Sequence, residues 1–143
     1  MNDKEQKRIL AIDFGEKRIG IAVSDPLRMF AIPIVTLSND KSFFRELRKL
    51  FERYSVEKIL LGYPLKENNE KSSVAGKVEK FQKKLSVEFK DIPIEYVDER
   101  YSSQIAVQHI IAGVKSKKKR RDKSLIDKNA AAVILEDYLR TEN

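Results

Sequence analysis

One acidic residue inside an apolar strand constrains this chain more than any other feature. Arg8–Phe14, RILAIDF, is a near-continuous apolar run and reads as a central strand, yet Asp13 stands within it. An ionised carboxylate in such a setting costs on the order of several kcal/mol unless it is paired, hydrogen-bonded or bound to a metal. Gly15-Glu16-Lys17-Arg18 follows as a turn, and Ile19–Val23, IGIAV, is a second strand, so the two form a hairpin. The ordinary explanation is that Asp13 lies at the strand's end and helps the Gly15 turn.

The pattern beyond the hairpin sets the fold class. Phe30–Leu37 is a third strand, in which Pro33 points to an edge or an irregular stretch. Ser42–Tyr54 carries Phe43, Leu47, Leu50, Phe51 and Tyr54 at helical spacing. Glu57–Leu61 is a buried strand closed by Gly62-Tyr63-Pro64, and a polar loop runs from Lys66 to Lys71. The next helix shows Val74, Val78, Phe81 and Leu85 on one face, and Pro93–Val97 returns to strand. Ser102 and Ser103 are suited to cap a helix through Ile105, Ile110 and Ile111 that Gly113 ends. A final helix is expected from about Ile126 to Arg140. This order predicts an α/β protein: a mixed sheet of about five strands, three antiparallel and then strands alternating with helices, covered by those helices.

Composition narrows the chemistry. A length of 143 residues predicts one domain spanning 1–143. With no cysteine and one histidine, His109, thiol nucleophiles, zinc clusters and most Ser-His-Asp schemes are excluded. His109 sits in an apolar helix and reads as structural. The opening residues MNDKEQKR are polar, and no run approaches the roughly 18 apolar residues of a membrane span, so a cytoplasmic protein is expected. The net charge is +7, and Lys115–Lys123, KSKKKRRDK, holds seven Lys/Arg against one Asp. Nearly all the excess therefore sits in one segment, a basic flexible loop at about 114–124. That is the footprint expected for a phosphate backbone, or else a solvated linker.

Two further acidic positions join Asp13. Asp98-Glu99-Arg100 ends the strand Pro93–Val97, and sites in open α/β sheets form at the C-terminal ends of strands. Adjacent residues point to opposite sides of a strand, so one of the two carboxylates faces any given site; a surface ion pair with Arg100 is the alternative. Asp127 precedes the last helix, in register with Ala130, Ala131, Ile134 and Tyr138, and is either an N-cap or a ligand aimed at the sheet. The small Ala130-Ala131-Ala132 run lets that helix approach closely. Gathered at one sheet edge, three carboxylates would repel one another and need cations. Two Mg²⁺ or Mn²⁺ ions roughly 4 Å apart would neutralise them and clamp an in-line attack on phosphorus.

Four ordered blocks carry a family resemblance. Asp13-Phe14-Gly15 with Arg18-Ile19-Gly20-Ile21-Ala22, then Gly62-Tyr63-Pro64-Leu65, then Asp98-Glu99-Arg100, then Asp127 with Ala130-Ala131 and Ile134-Leu135, resemble end to end the YqgF/RuvX family of the ribonuclease H-like superfamily. The resemblance implies a ribonuclease H-like fold and metal-dependent phosphodiester hydrolysis. It implies trimming of the 5′ end of precursor 16S rRNA, with resolution of branched DNA as the older proposal. Carried over by position, the catalytic and metal-binding set is Asp13, Glu99 and Asp127, with Asp98 as the alternate to Glu99, whose longer stem reaches further. Tyr63 stands where the family commonly has Leu, and Asn69-Glu70 where Gly is often seen.

Supporting roles follow. Arg18 and Arg100 are placed to hold phosphates, or to pair with Glu16 and Glu99. Lys117, Lys118, Lys119, Arg120 and Arg121 precede Asp127 and would be tethered beside the site. Gly15 and Gly20 serve hairpin packing or close approach of a nucleic acid, and Tyr63 and Tyr101 are rim aromatics or base-stacking platforms. The expected partner is nucleic acid, as structured RNA, branched DNA or a ribosomal precursor particle, bound by a monomer or homodimer away from membranes. Two rival readings are a non-catalytic nucleic-acid-binding protein and a sugar-kinase-like phosphotransferase, whose fold needs two such domains.

Overall fold

The computed structural model describes residues 6–64, 74–98 and 123–142, with side chains of the last stretch from Asn129 onward. The expected loop at Lys66–Lys71, the helix through Ile105–Ile111 and the basic loop lie outside the described residues. The elements are β1 (Lys7–Asp13), β2 (Arg18–Ser24), β3 (Ala31–Ser38), α1 (Phe43–Arg53), β4 (Ser55–Tyr63), α2 (Ala75–Glu88), β5 (Ile94–Asp98) and α3 (Lys123–Glu142). The sheet has five strands in the order β3-β2-β1-β4-β5. β1–β2 and β2–β3 pair antiparallel, while β1–β4 and β4–β5 pair parallel. The expected mixed sheet is therefore present. Pro33 lies on the edge strand β3 beside a bulge: Ile21 pairs with Val35 but Ala22 with Pro33, leaving Ile34 as the extra residue. An edge bulge is where a missing amide donor disturbs the ladder least.

The alternation of β1 divides the core. Leu10 and Ile12 point to the face covered by α1 and α2, where they join Ile19, Ile21, Phe43, Leu47, Phe81 and Leu85. Ile9 and Ala11 point to the other face and meet Ala131, Ala132, Leu135 and Leu139 of α3. α3 runs across β1, β2 and β3 on that face. Both faces of β1 are covered, which is why its sequence is almost continuously apolar. No described helix is long and apolar enough to cross a membrane.

The end of the sheet away from Asp13 is tied by polar contacts. Buried Ser24 accepts a bond from the Ile9 amide at 3.0 Å through its hydroxyl and one from the Arg8 guanidinium at 3.1 Å through its carbonyl. Arg8 also stacks over the Tyr54 ring, 5.1 Å from its centroid. In the β2–β3 loop, partial burial opposes ionisation of Asp25. The amides of Phe30, Met29 and Leu27 donate to its carboxylate and outweigh that burial, holding its carboxyl below the ordinary carboxylate range. Arg28 adopts a left-handed φ of 56° and is held by Glu57 and by the Lys7 carbonyl.

Candidate active site

Because β1, β4 and β5 are parallel, their C-terminal ends share one edge of the sheet, the place where α/β sheets build sites. Asp13 is the last residue of β1 and is half-buried. Its strand partner is Gly20, and the pairing of Ile12 with Leu61 brings Gly62 alongside it on the other side. Gly20 pairs onward with Thr36, and Gly62 with Val97. A row Thr36–Gly20–Asp13–Gly62–Val97 thus crosses the sheet. Strand neighbours in register share a face, so this row lies on the α3 face, with Ala11, Ala22 and Val97. The carboxylate rises between two residues that lack side chains, which opens space on both sides of it. Gly62, read above as closing its strand, instead lies inside β4 and flanks Asp13; the signal for that place is a glycine within the otherwise apolar ILLGY run.

Arg18, two residues along β2 from Gly20, shares that face beyond Asp13. The turn between Asp13 and Arg18 depends on Gly15: a Cβ there would meet the Arg18 carbonyl oxygen at 2.3 Å. Its φ is not positive, so the glycine serves close packing of the hairpin. The Asn39 side chain donates to the Gly15 carbonyl at 2.9 Å, and the Asn39 amide to the Lys17 carbonyl at 2.9 Å, fastening the turn to the end of β3. Glu16, considered above as a partner for Arg18, pairs with Lys77 at 3.0 Å.

Asp98 ends β5 opposite Tyr63, on the α2 face. There it lines a cavity with Tyr63, Glu79 and Tyr96. The Tyr63 hydroxyl donates to Glu79 at 2.6 Å, and the Tyr63 and Tyr96 rings sit 4.8 Å apart. Asp98 and Asp13 therefore leave the sheet edge from opposite faces. Glu99, Arg100, Tyr101, His109 and Lys117 to Arg121 lie outside the described residues.

The start of α3 corrects the expected boundary. The helix begins at Lys123, not near Ile126, so Asp127 is inside it and is not an N-cap. Asp127 stands one turn before Ala131, which is fully buried against the α3 face of the sheet. Among the described residues no three acidic or histidine side chains form a metal-binding group, Glu99 and the Asp127 side chain lying outside that set.

A five-stranded mixed sheet of this order, with helices on both faces and an aspartate ending its central strand, defines a ribonuclease H-like α/β protein. The same fold occurs in the RuvC of T. thermophilus in complex with Holliday junction substrate, with a TM-score of 0.58 at 16% identity over 95% of this chain and 96% of that one. It occurs also in the Fowlpox virus resolvase in complex with Holliday junction DNA, with a TM-score of 0.56 at 16% identity over 94% and 98%. The chain belongs to the RuvX family: the family model described as "RuvX: Holliday junction resolvase" matches residues 7–141. It is 42% identical over 132 residues to the "Putative pre-16S rRNA nuclease" of Flavobacterium psychrophilum, covering 92% of this chain and 96% of that protein. A protein of the same name from Chlorobaculum tepidum is 39% identical over 139 residues, 97% of each chain. The family is one of nucleases.

Proposed function

We infer that this protein is a metal-dependent nuclease that processes the 5′ end of precursor 16S rRNA, with Asp13, Glu99 and Asp127 as its acidic centre. It would work as one domain spanning 1–143, in the cytoplasm. The observation that carries this reading is the setting of Asp13: a half-buried carboxylate at the C-terminal edge of the sheet, between Gly20 and Gly62, on the face that α3 covers. The departure of Asp98 to the opposite face favours Glu99 as the β5 contributor, since neighbouring residues alternate. The names of the relatives supply the RNA substrate.

The donor set fits hard cations: carboxylate oxygens, with no cysteine and a single histidine in the chain. Asp13, Glu99 and Asp127 would hold Mg²⁺ or Mn²⁺, which supply Lewis acidity toward the phosphate and lower the pKa of the attacking water. The chain's own residues do the rest. The two glycines admit the sugar–phosphate backbone to the Asp13 carboxylate. Arg18 and Arg100 hold flanking phosphates through their planar forks. Lys117, Lys118, Lys119, Arg120 and Arg121 supply the sequence-independent part of the affinity.

Asp13→Asn tests the reading. With Mg²⁺ or Mn²⁺ it should lower single-turnover cleavage of a precursor 16S 5′ fragment on the order of 100-fold or more. Binding of the same fragment in EDTA should stay near wild type. Cleavage at the wild-type rate would falsify the assignment. The family description favours a second reading, resolution of branched DNA. A four-way DNA junction in the same panel separates the two, because paired cuts there require a symmetric dimer.

A further inference from the structure

On the α2 face, next to the Gly15 turn, a groove runs between the first turn of α1 and one flank of α2. It consists of two adjoining cavities of about 690 and 330 Å³ that share Asn39, Phe81 and Lys84. Its floor is aromatic. Phe81 packs against Phe14 at 4.9 Å, Phe43 at 5.4 Å and Phe44 at 6.1 Å between ring centroids. Phe81 and Phe43 are buried, whereas Phe14 and Phe44 are only half-buried and turn part of their surface into the groove. The α2 wall is basic, with Lys77, Lys80, Lys83 and Lys84.

The charges are not cancelled internally. Of the acids lining the groove, Glu16 pairs with Lys77, Glu88 pairs with Arg48, and Asp40 accepts from the amide and hydroxyl of Ser42. Lys80, Lys83 and Lys84 make no ion pair among the described residues. Lys80 and Lys84 are one helical turn apart, about 5–6 Å, comparable to the spacing of neighbouring phosphates on an extended strand. Cations beside half-exposed rings are the combination that binds single-stranded nucleic acid: phosphates on the lysines, bases on the rings. A duplex keeps its base faces stacked and cannot use such rings.

We propose that this groove is a second nucleic-acid subsite that takes the single-stranded flank of the substrate. Asp13 and Phe14 are consecutive and face opposite sides of the sheet. A strand leaving Asp13 over the Gly15–Lys17 turn therefore enters the groove at Phe14 and follows Lys80 and Lys84 along α2. That direction rests on Asp13 being catalytic; the binding itself does not.

The test is equilibrium binding of fluorescein-labelled ten-residue oligo(dT) and oligo(U) in EDTA, by anisotropy across a salt series. Each phosphate contact on a single strand contributes about 0.7 to the log–log salt slope, so Lys80→Ala/Lys84→Ala should reduce the slope by about 1.4. Phe44→Leu, which keeps apolar bulk and removes the π-face, should weaken binding about fivefold or more at constant slope. The surface pair Lys49→Ala/Lys90→Ala should leave the slope within about 0.3 of wild type. A strand carrying 5-iodouracil should photo-crosslink to the peptide holding Phe44 or Phe14. An unchanged slope in Lys80→Ala/Lys84→Ala, or crosslinks confined to other peptides, overturns the proposal. So does a groove that captures an apolar peptide but no oligonucleotide. Thermal melts verify that each variant is folded. Failure here with Asp13→Asn still inactive refutes the groove alone; an active Asp13→Asn with the slope reduced refutes the catalytic reading alone.

Discussion

The two faces of the sheet are made by the same strands and differ in the size of what they bury. Toward α3 the sheet presents Ile9, Ala11, Ala22 and Leu60, and receives Ala131, Ala132 and Leu135. Toward α1 and α2 it presents Leu10, Ile12, Ile19 and Ile21, and receives Phe43, Leu47, Phe81 and Leu85. Small side chains let a helix sit nearer the strands, and bulky ones hold it off while burying more apolar surface. The α3 face thus trades buried area for closeness, and it is the face that holds Asp13. The α1/α2 face carries the larger share of the core. Position is built on one side and stability on the other.

The sharpest way to break this contrast is to exchange equivalent carboxylates across it. Asp13→Asn should cost on the order of 100-fold or more in cleavage. Asp98→Asn, at the same edge but on the Tyr63–Tyr96 side, should stay within about twofold, as expected for an exposed substitution outside the proposed acidic centre. Equal losses would show that the faces do not separate the roles.

Packing changes come next. Leu85→Ala, in the bulky core, should cost about 2–5 kcal/mol in urea unfolding and leave kcat of the folded fraction unchanged. Ala131→Leu should cost less stability, about 1–3 kcal/mol, but, if the proposed acidic centre is right, should lower kcat at least tenfold, because overpacking lifts α3 off the sheet face that holds Asp13. A variant that loses stability without activity at Ala131 would sever the link between alanine packing and the site.

Most of the sheet was legible because its signals are local. The RILAIDF and IGIAV runs with a four-residue turn, and Pro33 marking an edge, need no tertiary information. The helical spacing of Val78, Phe81 and Leu85 located the buried side of α2 but gave no reason to look at its flank. Lys80 and Lys84 matter only because the first turn of α1 lies beside them, a contact that joins Phe44 to Phe81 across the chain. The side taken by Asp98 was equally hidden. It follows from the pairing of Tyr63 with Asp98 and of Ile12 with Leu61, and a slip of one residue would reverse it. Arg8 is the one charged residue at the head of the RILAIDF run, yet it is 4% exposed because Ser24 and Tyr54 surround it from β2 and the end of α1.

A smaller effect concerns the sheet end remote from Asp13. Asp25→Ala should cost about 1 kcal/mol, since three amides of the β2–β3 loop lose their acceptor. The Asp25 carboxyl is lowered in the folded protein, so its contribution is present above the ordinary carboxylate range and is lost as the pH falls through the lowered value. The difference between wild type and Asp25→Ala should therefore shrink below about pH 4 in urea titrations, with cleavage at neutral pH unaffected. A difference that persists at pH 2 would mean the aspartate acts by shape and not by charge.

The smallest expected effect sits on the α3 face, where the helix is clasped to β4. Lys58 of β4 donates to the Tyr138 hydroxyl of α3 at 2.7 Å and lies 3.5 Å from Glu95 of β5. The bond to Tyr138 raises the Lys58 pKa above its ordinary value, partial burial opposing it and Glu95 adding to it. A raised pKa on a cation contributes stability that is complete below the ordinary lysine range and disappears as the pH rises through the folded-state value. Tyr138→Phe should thus cost about 0.5 kcal/mol at pH 7, a partly exposed contact being worth little, and the gap should close as the pH rises beyond the ordinary lysine range. If the clasp also sets the height of α3 above β4, the same variant lowers kcat by about twofold at pH 7, and wild type falls to meet it as Lys58 deprotonates. A gap in stability that closes while the kcat ratio stays at one would place the height of α3 under the control of its alanines alone.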